Sequence, residues 1–511
     1  MLSLFLGVCL AAPFTELEQV MEQAAAQEGV PKPVLMAIAY EASRFDPTVV
    51  SLSEGWGMFD LHEGDQGPSL EKAAAELEVD PNLLITDWKL AVRGTAALLA
   101  SYGRLSTGTQ KTPPVDDLLA WWDAVRAFSG REEPVLQEQY TRYIFESIDQ
   151  GYLVESQWGT VVQPPIPLNI SSHGMVPPPG LDSSLASQFV QACSDNYSNY
   201  SRGSGDIDMV VIHTVQGSYS SCYNWFANCS AQASAHYVVR SSDGDITQMV
   251  SEGDVAWHAG HWDTNLRSVG IEHEGYIDDP GRWYTDAMYR ASAALTLDIA
   301  TRQGVAIDRS HIIGHSEVPG CSGGSGGGSG CHTDPGSGWD WDYYMDLLNG
   351  ATNTTTGELV GVVADSDIYN GTRLVGATVW IPETGDSTTT DSSGVYHFPD
   401  LPFGTYTVHA SYPGYAEGTC GPKTTSAAQD WCSVALYPGE DPGPDDSDPP
   451  PDDSSPVTGD DSGVDEVPGH RPPSLPGTPV VIDEVKGGCS TGAGPLLFGL
   501  LMPLFLRRKQ C

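Results

Sequence analysis

Eight of the 13 histidines fall between His213 and His332, and that clustering marks the part of the chain best equipped to hold a metal. An apolar run, Val210-Val211-Ile212, ends in His213-Thr214, and a second, Ile312-Ile313-Gly314, ends in His315. His332-Thr333-Asp334-Pro335-Gly336 follows in a turn. Three neutral or anionic N/O donors from distant segments suit a catalytic zinc. Such a site keeps a fourth position for water, whereas structural sites are usually closed by four ligands. Taken alone, a His at a strand end is more often a hydrogen-bonded core or surface group than a ligand. Ordered together with Glu272, these residues read as one site.

Bringing such donors together needs a rigid frame. Met209 to His213 and His236 to Arg240 read as strands and Thr285 to Arg302 as a helix, which predicts a mixed α/β domain over 186–350. Ahead of it, 13–155 is Ala/Leu/Glu-rich and predicted helical, and 156–185 is a Pro-rich linker that includes Pro177-Pro178-Pro179. Residues 356–437 are rich in Thr, Val, Tyr and Gly with closely spaced turn signals, which predicts a small antiparallel β-sandwich. The Asp/Pro-rich stretch 438–486 buries too little apolar surface to fold and is expected to be a disordered, self-repelling linker. The fold class is therefore multidomain.

The net charge of -43 argues against nucleic acid as a partner, because phosphate would be repelled. Residues 1–12 resemble a signal peptide, an apolar run closed by small residues before Pro13, although the usual basic start is missing. Cys222/Cys229, Cys321/Cys331 and Cys420/Cys432 lack CxxC spacing, so short-range disulfides in an oxidising compartment fit better than a structural zinc site. In 487–511, Gly487-Gly488-Cys489 precedes an apolar run, Pro495 to Leu506, and Arg507-Arg508-Lys509. As a helix that run is about 18 Å long, short of the roughly 30 Å hydrocarbon core. The arrangement resembles myxobacterial C-terminal sorting signals, which imply surface sorting; an ordinary tail anchor is the alternative. The expectation is an exported monomer, at the cell surface or outer membrane or extracellular, with possible membrane anchoring through its C-terminus.

The central domain resembles the type 2 N-acetylmuramoyl-L-alanine amidases, relatives of the peptidoglycan recognition proteins. The matching runs are Val211-Ile212-His213-Thr214, Ser234-Ala235-His236-Tyr237, Ala256-Trp257-His258-Ala259-Gly260, Ser268-Val269-Gly270-Ile271-Glu272, Ile313-Gly314-His315-Ser316 and Asp334-Pro335-Gly336. The resemblance implies a mixed sheet flanked by helices, Zn2+ on His213, His315 and Asp334, and Glu272 as the catalytic carboxylate. The substrate would be peptidoglycan, cut at the lactyl–L-alanine amide. Many members carry Lys where this chain has His332, which is expected to donate to the oxyanion or to compete with Asp334 as a ligand. Glu274 is a weaker candidate base on the same strand face. His236, His258 and Trp257 are expected at the substrate, with structural roles nearly as well supported; His261 and His273 are expected to be non-functional. The rivals are a non-catalytic peptidoglycan-binding protein and a zinc hydrolase of another amide.

Two further resemblances complete the reading. Ala37-Ile38-Ala39, Ser43-Arg44-Phe45-Asp46-Pro47 and Gly57-Met58-Phe59-Asp60-Leu61 resemble lytic transglycosylases and goose-type lysozymes. Ala42 stands where that family has its catalytic Glu, and Glu41 is turned about 100° around a helix. The expectation is a lysozyme-like domain without glycosidase activity, glycan-binding or structural. Gly376-Ala377-Thr378-Val379, Thr390-Asp391-Ser392-Ser393-Gly394 and Leu401-Pro402-Phe403-Gly404-Thr405-Tyr406 resemble a carboxypeptidase regulatory-like domain, which implies a spacer or adhesion module.

Overall fold

The computed structural model describes residues 15–64, 67–170, 180–319, 332–350, 356–425 and 429–439. The expected signal peptide, the Cys321/Cys331 pair with the Gly/Ser loop between them, the C-terminal segment and nearly all of the acidic linker lie outside these residues.

The N-terminal region is helical: α1 (Glu16–Glu28), α2 (Lys32–Ser43), α3 (Leu70–Glu76), α4 (Pro81–Thr86), α5 (Trp88–Thr107), α6 (Trp122–Phe128) and α7 (Pro134–Gln150). Its ends follow from local chemistry. Thr15 and Glu18 form a reciprocal capping box at the start of α1, and Gly29 closes that helix at φ 66°. Asp87 accepts from the first backbone N–H groups of α5. A hairpin of β1 (Tyr152–Ser156) and β2 (Gly159–Gln163) follows, and its Tyr152, Val154 and Val161 enter the same core as Val34, Leu35 and Ile38. The expected linker from 156 therefore begins with a folded strand; its prolines gather only after Gln163.

The central region comprises β3 (Gln188–Phe189), β4 (Tyr197–Ser198), β5 (Met209–Thr214), α8 (Tyr219–Ala227), β6 (Tyr237–Val239), β7 (Ile246–Gln248), β8 (Val255–Ala256), α9 (Trp262–Arg267), β9 (Ser268–His273), α10 (Pro280–Trp283), α11 (Asp286–Gln303), β10 (Ile312–Gly314) and α12 (Trp341–Leu348). Its main sheet runs β10-β5-β9-β6-β7-β3. The β5 strand is parallel to β9 and β10, while β6 is parallel to β9 and antiparallel to β7, so the sheet is mixed as expected. Alternation along β5 buries Val210 and Ile212 with Met288, Leu295 and Ile299 of α11, and turns Val211 and His213 to the other face. On that other side, α8 contributes Cys222, Tyr223 and Phe226 to a cluster shared with Leu136 and Tyr143 of α7. The helical and central regions thus share apolar core.

The expected Cys222/Cys229 pairing is not made. Cys222 is wholly buried on the inner face of α8 and is a free thiol, while Cys229, beyond the helix end, is bonded to Cys193 at a Cα–Cα distance of 5.1 Å. Sequence proximity misled because the helix aims its cysteine into the core. The Cys420–Cys432 disulfide is formed as expected.

The C-terminal region is a two-sheet sandwich of β11 (Thr356–Asp365), β12 (Thr378–Ile381), β13 (Asp386–Thr389), β14 (Val395–Pro402), β15 (Gly404–Ser411), β16 (Gly418–Thr425), β17 (Gln429–Trp431) and β18 (Val434–Leu436). It is not wholly antiparallel. After β16 the chain crosses to the other sheet and runs alongside β11, so β17 and β18 pair with successive halves of β11 in parallel. Val360, Val362 and Val395 pack on Val162 of the hairpin. All three regions belong to one unit that runs to Asp441; the second, Pro442–Gln510, is outside the described residues. Among the described residues no helix is long and apolar enough to cross a membrane.

Candidate active site

Parallel pairing of β5 with β9 sets His213 directly against Glu272. Registered neighbours on adjacent strands project to the same face, so imidazole and carboxyl share one pocket. His315 begins the turn after β10, itself the other neighbour of β5. Asp334 is fixed to both ligand strands through the backbone: Thr214 N–H donates to its Oδ2 (3.2 Å), and Ser316 N–H donates to its carbonyl (2.8 Å). His315 Nδ1 lies 3.0 Å from Asp334 Oδ1, and His213 Nδ1 lies 3.5 Å from Oδ2. One donor atom from each of the three residues falls within 4.8 Å of the others.

The hydrogen-bond chain behind His213 fixes its tautomer. Ser268 Oγ–H donates to the Thr264 carbonyl (2.6 Å), so Ser268 Oγ accepts from His258 Nε2–H (3.1 Å). Burial, with His213 beside it, holds His258 well below the ordinary imidazole range, so it is neutral and its Nδ1 is bare. That nitrogen accepts from His213 Nε2–H (2.9 Å). Burial and the neighbouring His315 lower His213 to about 4, leaving it neutral with the lone pair of Nδ1 facing the Asp334 carboxylate. Two acceptors facing each other in a buried site call for a cation between them. Zinc bonds of about 2.0–2.2 Å in a tetrahedron place ligand atoms about 3.3 Å apart, close to the separations here. Two imidazole nitrogens and one carboxylate oxygen also leave a coordination position open.

Glu272 completes the pocket. Its Oε2 is buried with no hydrogen-bond partner. Burial, then the charge of Asp334, raises its carboxyl well above the ordinary range, so it holds a proton more readily than an exposed carboxylate does. A family model for N-acetylmuramoyl-L-alanine amidase matches residues 203–337. Over 163 residues the chain is 43% identical to N-acetylmuramoyl-L-alanine amidase A of Achromobacter lyticus, a match covering 30% of this chain and 89% of that protein. Over 167 residues it is 31% identical to the 1,6-anhydro-N-acetylmuramyl-L-alanine amidase AmpD of Haemophilus influenzae, covering 28% of this chain and 83% of that protein. The chain belongs to the N-acetylmuramoyl-L-alanine amidases. It is a zinc hydrolase, with His213, His315 and Asp334 as the metal-binding cluster of its amidase domain. A carboxypeptidase regulatory-like family model matches residues 358–430.

The remaining candidates separate around this amidase site. His332 is outside the ligand cluster: its ring stacks on His315 at 3.5 Å, and its Nε2 is buried without a partner. Desolvation lowers it to about 4, so it is neutral at pH 7. His236 is wholly buried: Gly270 N–H donates to its Nδ1 (3.0 Å), which leaves the ring proton on Nε2, 3.4 Å from the Asp254 carbonyl and 2.8 Å from Arg202 Nη2. His258 is also buried, and both of its ring nitrogens are used in orienting His213. Trp257 is half-buried, and its Nε1–H donates to Ser198 Oγ (3.0 Å). Glu274 leaves the pocket, because β9 ends at His273 and the Glu274 carboxylate turns to Arg44 and to the N–H groups of Tyr219 and Ser241. His261 caps α9, and buried His273 supports His213 by donating from Nδ1 to its carbonyl (2.8 Å). Trp339 is core packing.

Sequence reading quoted Ser268 only as the first residue of the run that ends in Glu272 and missed it as a working part, because nothing in that run shows the serine reaching His258. In Ser268→Ala, His258 is free to take the opposite tautomer and force a proton onto His213 Nδ1. Zinc affinity measured by competition with a chromogenic chelator is expected to fall about 10–100-fold, with the far-UV spectrum unchanged.

Proposed function

We propose that this amidase hydrolyses the lactyl–L-alanine amide of bacterial peptidoglycan, with Glu272 as the proton carrier. The observation that carries this reading is the unpartnered Glu272 Oε2 in register with His213, on the rim of the metal cluster. When bound, a zinc ion would be held by His213, His315 and Asp334 and would supply Lewis acidity at the scissile carbonyl and lower the pKa of an attacking water. Glu272 accepts the water proton as the C–O bond forms. It returns that proton to the amino group of L-alanine as the C–N bond breaks. Neutral His332 donates a hydrogen bond to the oxyanion without adding charge. His258 orients His213, and Trp257 lies at the substrate side. The test is end-group analysis of digested peptidoglycan: free N-terminal L-alanine from the wild type and none from Glu272→Gln. Release of a different amino terminus would point to hydrolysis of a peptide cross-link. Zinc uptake with no release would leave a peptidoglycan-binding protein.

The helical region fits a lysozyme-like domain that has lost its chemistry. Ala42 lines a cavity of about 10 Å³ that Ser220 and Asn224 of α8 also line, room for about one water. The Glu41 carboxyl is buried, accepts from Ser147 Oγ and lies 3.7 Å from Arg44. Ala42 has no proton to give, and the Glu41 carboxyl is turned to Ser147 and Arg44. Peptidoglycan treated with the Glu272→Gln protein is therefore expected to gain no new reducing ends; their appearance would restore a glycosidase to the chain. We assign the regulatory-like sandwich a spacer role. Residues 1–12 and 487–511 are assigned to export and surface sorting, which fits a cell-wall substrate and the disulfides.

A further inference from the structure

One buried ion pair joins the helical region to the residue just beyond the strand that carries Glu272, and nothing in the hydrolysis uses it. Arg44 ends α2 at φ 53° and is 2% exposed. Its Nη2 donates to Glu274 Oε2 (3.2 Å), and its Nη1 donates to the Tyr40 carbonyl (2.7 Å). The guanidinium lies between two aromatic rings, 4.0 Å from the Tyr40 centroid and 4.6 Å from that of Trp283. Glu274 has no exposed surface; it also accepts from Tyr219 N–H at Oε1 (3.0 Å) and Ser241 N–H at Oε2 (2.8 Å). One carboxylate therefore ties together the end of α2, the start of α8 and the turn beyond β6.

That carboxylate is two residues from Glu272. The β9 ladder ends at His273, and the next fixed points are Glu274 N–H on the Val239 carbonyl (3.0 Å) and the mutual bonds of Gly275 with Gly217. Glu272 Oε2 has no hydrogen-bond partner to aim it. The direction of the carboxyl is consequently set by the backbone of β9, whose exit is clamped by Glu274. Arg44, fixed by two rings and a carbonyl, is the rigid side of that clamp. A planar guanidinium held this way presents a defined geometry that an ammonium on a flexible stem does not.

We infer that Arg44 is a positioning residue for hydrolysis: the helical region is a built-in wall of the amidase site that fixes the end of the catalytic strand. This rests on the reading of Glu272 as proton carrier. The experiment uses the full chain and a soluble muramyl peptide, and follows kcat, KM and bound zinc in Arg44→Met, Arg44→Lys and the double variant Arg44→Met/Glu274→Met. The double variant removes Glu274 together with the charge that pairs it, so that this carboxylate is not left unpaired as in the single change, while Glu41, 3.7 Å from Arg44, keeps its bond from Ser147 Oγ. In both Met variants kcat is expected to fall at least about tenfold, with KM within about twofold and zinc near stoichiometric; Arg44→Lys should recover part of the loss. Wild-type kcat in the folded double variant would overturn the inference, as would a loss that follows zinc content or KM alone. Activity retained in Glu272→Gln would instead overturn the reading of Glu272, whatever Arg44 does.

Discussion

Glu272→Gln is expected to reduce kcat on peptidoglycan fragments by about 10²–10⁴-fold, the range for removing a positioned general base and acid, while zinc binding is retained. The substitution keeps the shape of the side chain and removes only its ability to take and return a proton. Glu272 is not in the metal cluster, so the metal should remain. The wild-type carboxyl is held high by burial and by Asp334. A neutral amide lacks that electrostatic cost, so the variant should be at least as stable as the wild type in thermal melts. Loss of turnover with zinc and stability retained is the combined signature. A variant that lost zinc as well would place Glu272 among the ligands and leave the proton carrier unidentified.

How legible this site was depends on the kind of constraint involved. His213, His315 and Asp334 were readable because one lies near the end of an apolar strand, one just follows such a strand and one sits in a turn, and the structure gathers all three. The mixed sheet was readable because β5 and β6 are short apolar runs and α11 a long helix-forming stretch, each expected within a residue or so of its observed bounds. What failed depended on contacts between segments far apart in sequence. Glu274 obeys the alternation rule that pointed it toward Glu272, but the strand stops at His273 and a buried arginine from residue 44 claims the carboxylate. For His236 and His258, read at the substrate with structural roles nearly as well supported, the buried contacts to Arg202 and Ser268 favour the structural side, and neither partner carries a local sign of its approach. Cys229 pairs across 36 residues, because α8 points the nearer Cys222 inward. Strand polarity in the sandwich was hidden for the same reason: β17 meets β11 only after a crossover.

Asp334→Asn should abolish activity and weaken zinc binding by more than the 10–100-fold expected for an outer partner. The substitution removes the one anionic donor of the cluster and leaves its two imidazoles in place. In the wild type the bare Nδ1 of His213 lies 3.5 Å from Asp334 Oδ2, and the same oxygen accepts from Thr214 N–H (3.2 Å). An amide serves only one of these neighbours: its N–H satisfies the His213 lone pair but faces the Thr214 donor, or its oxygen keeps the Thr214 bond and the acceptor contact remains. The zinc-free variant should therefore lie within about 1–3 kcal/mol of the zinc-free wild type. Zinc separates the two proteins, since a ligand bound only by the native state stabilises it by about 4 kcal/mol at a thousand times its dissociation constant. Thermal melts check this: the two should melt at similar temperatures in chelator, and Asp334→Asn should lose most of the rise that added zinc gives the wild type. A full zinc-dependent rise in the variant would take Asp334 out of the ligand set.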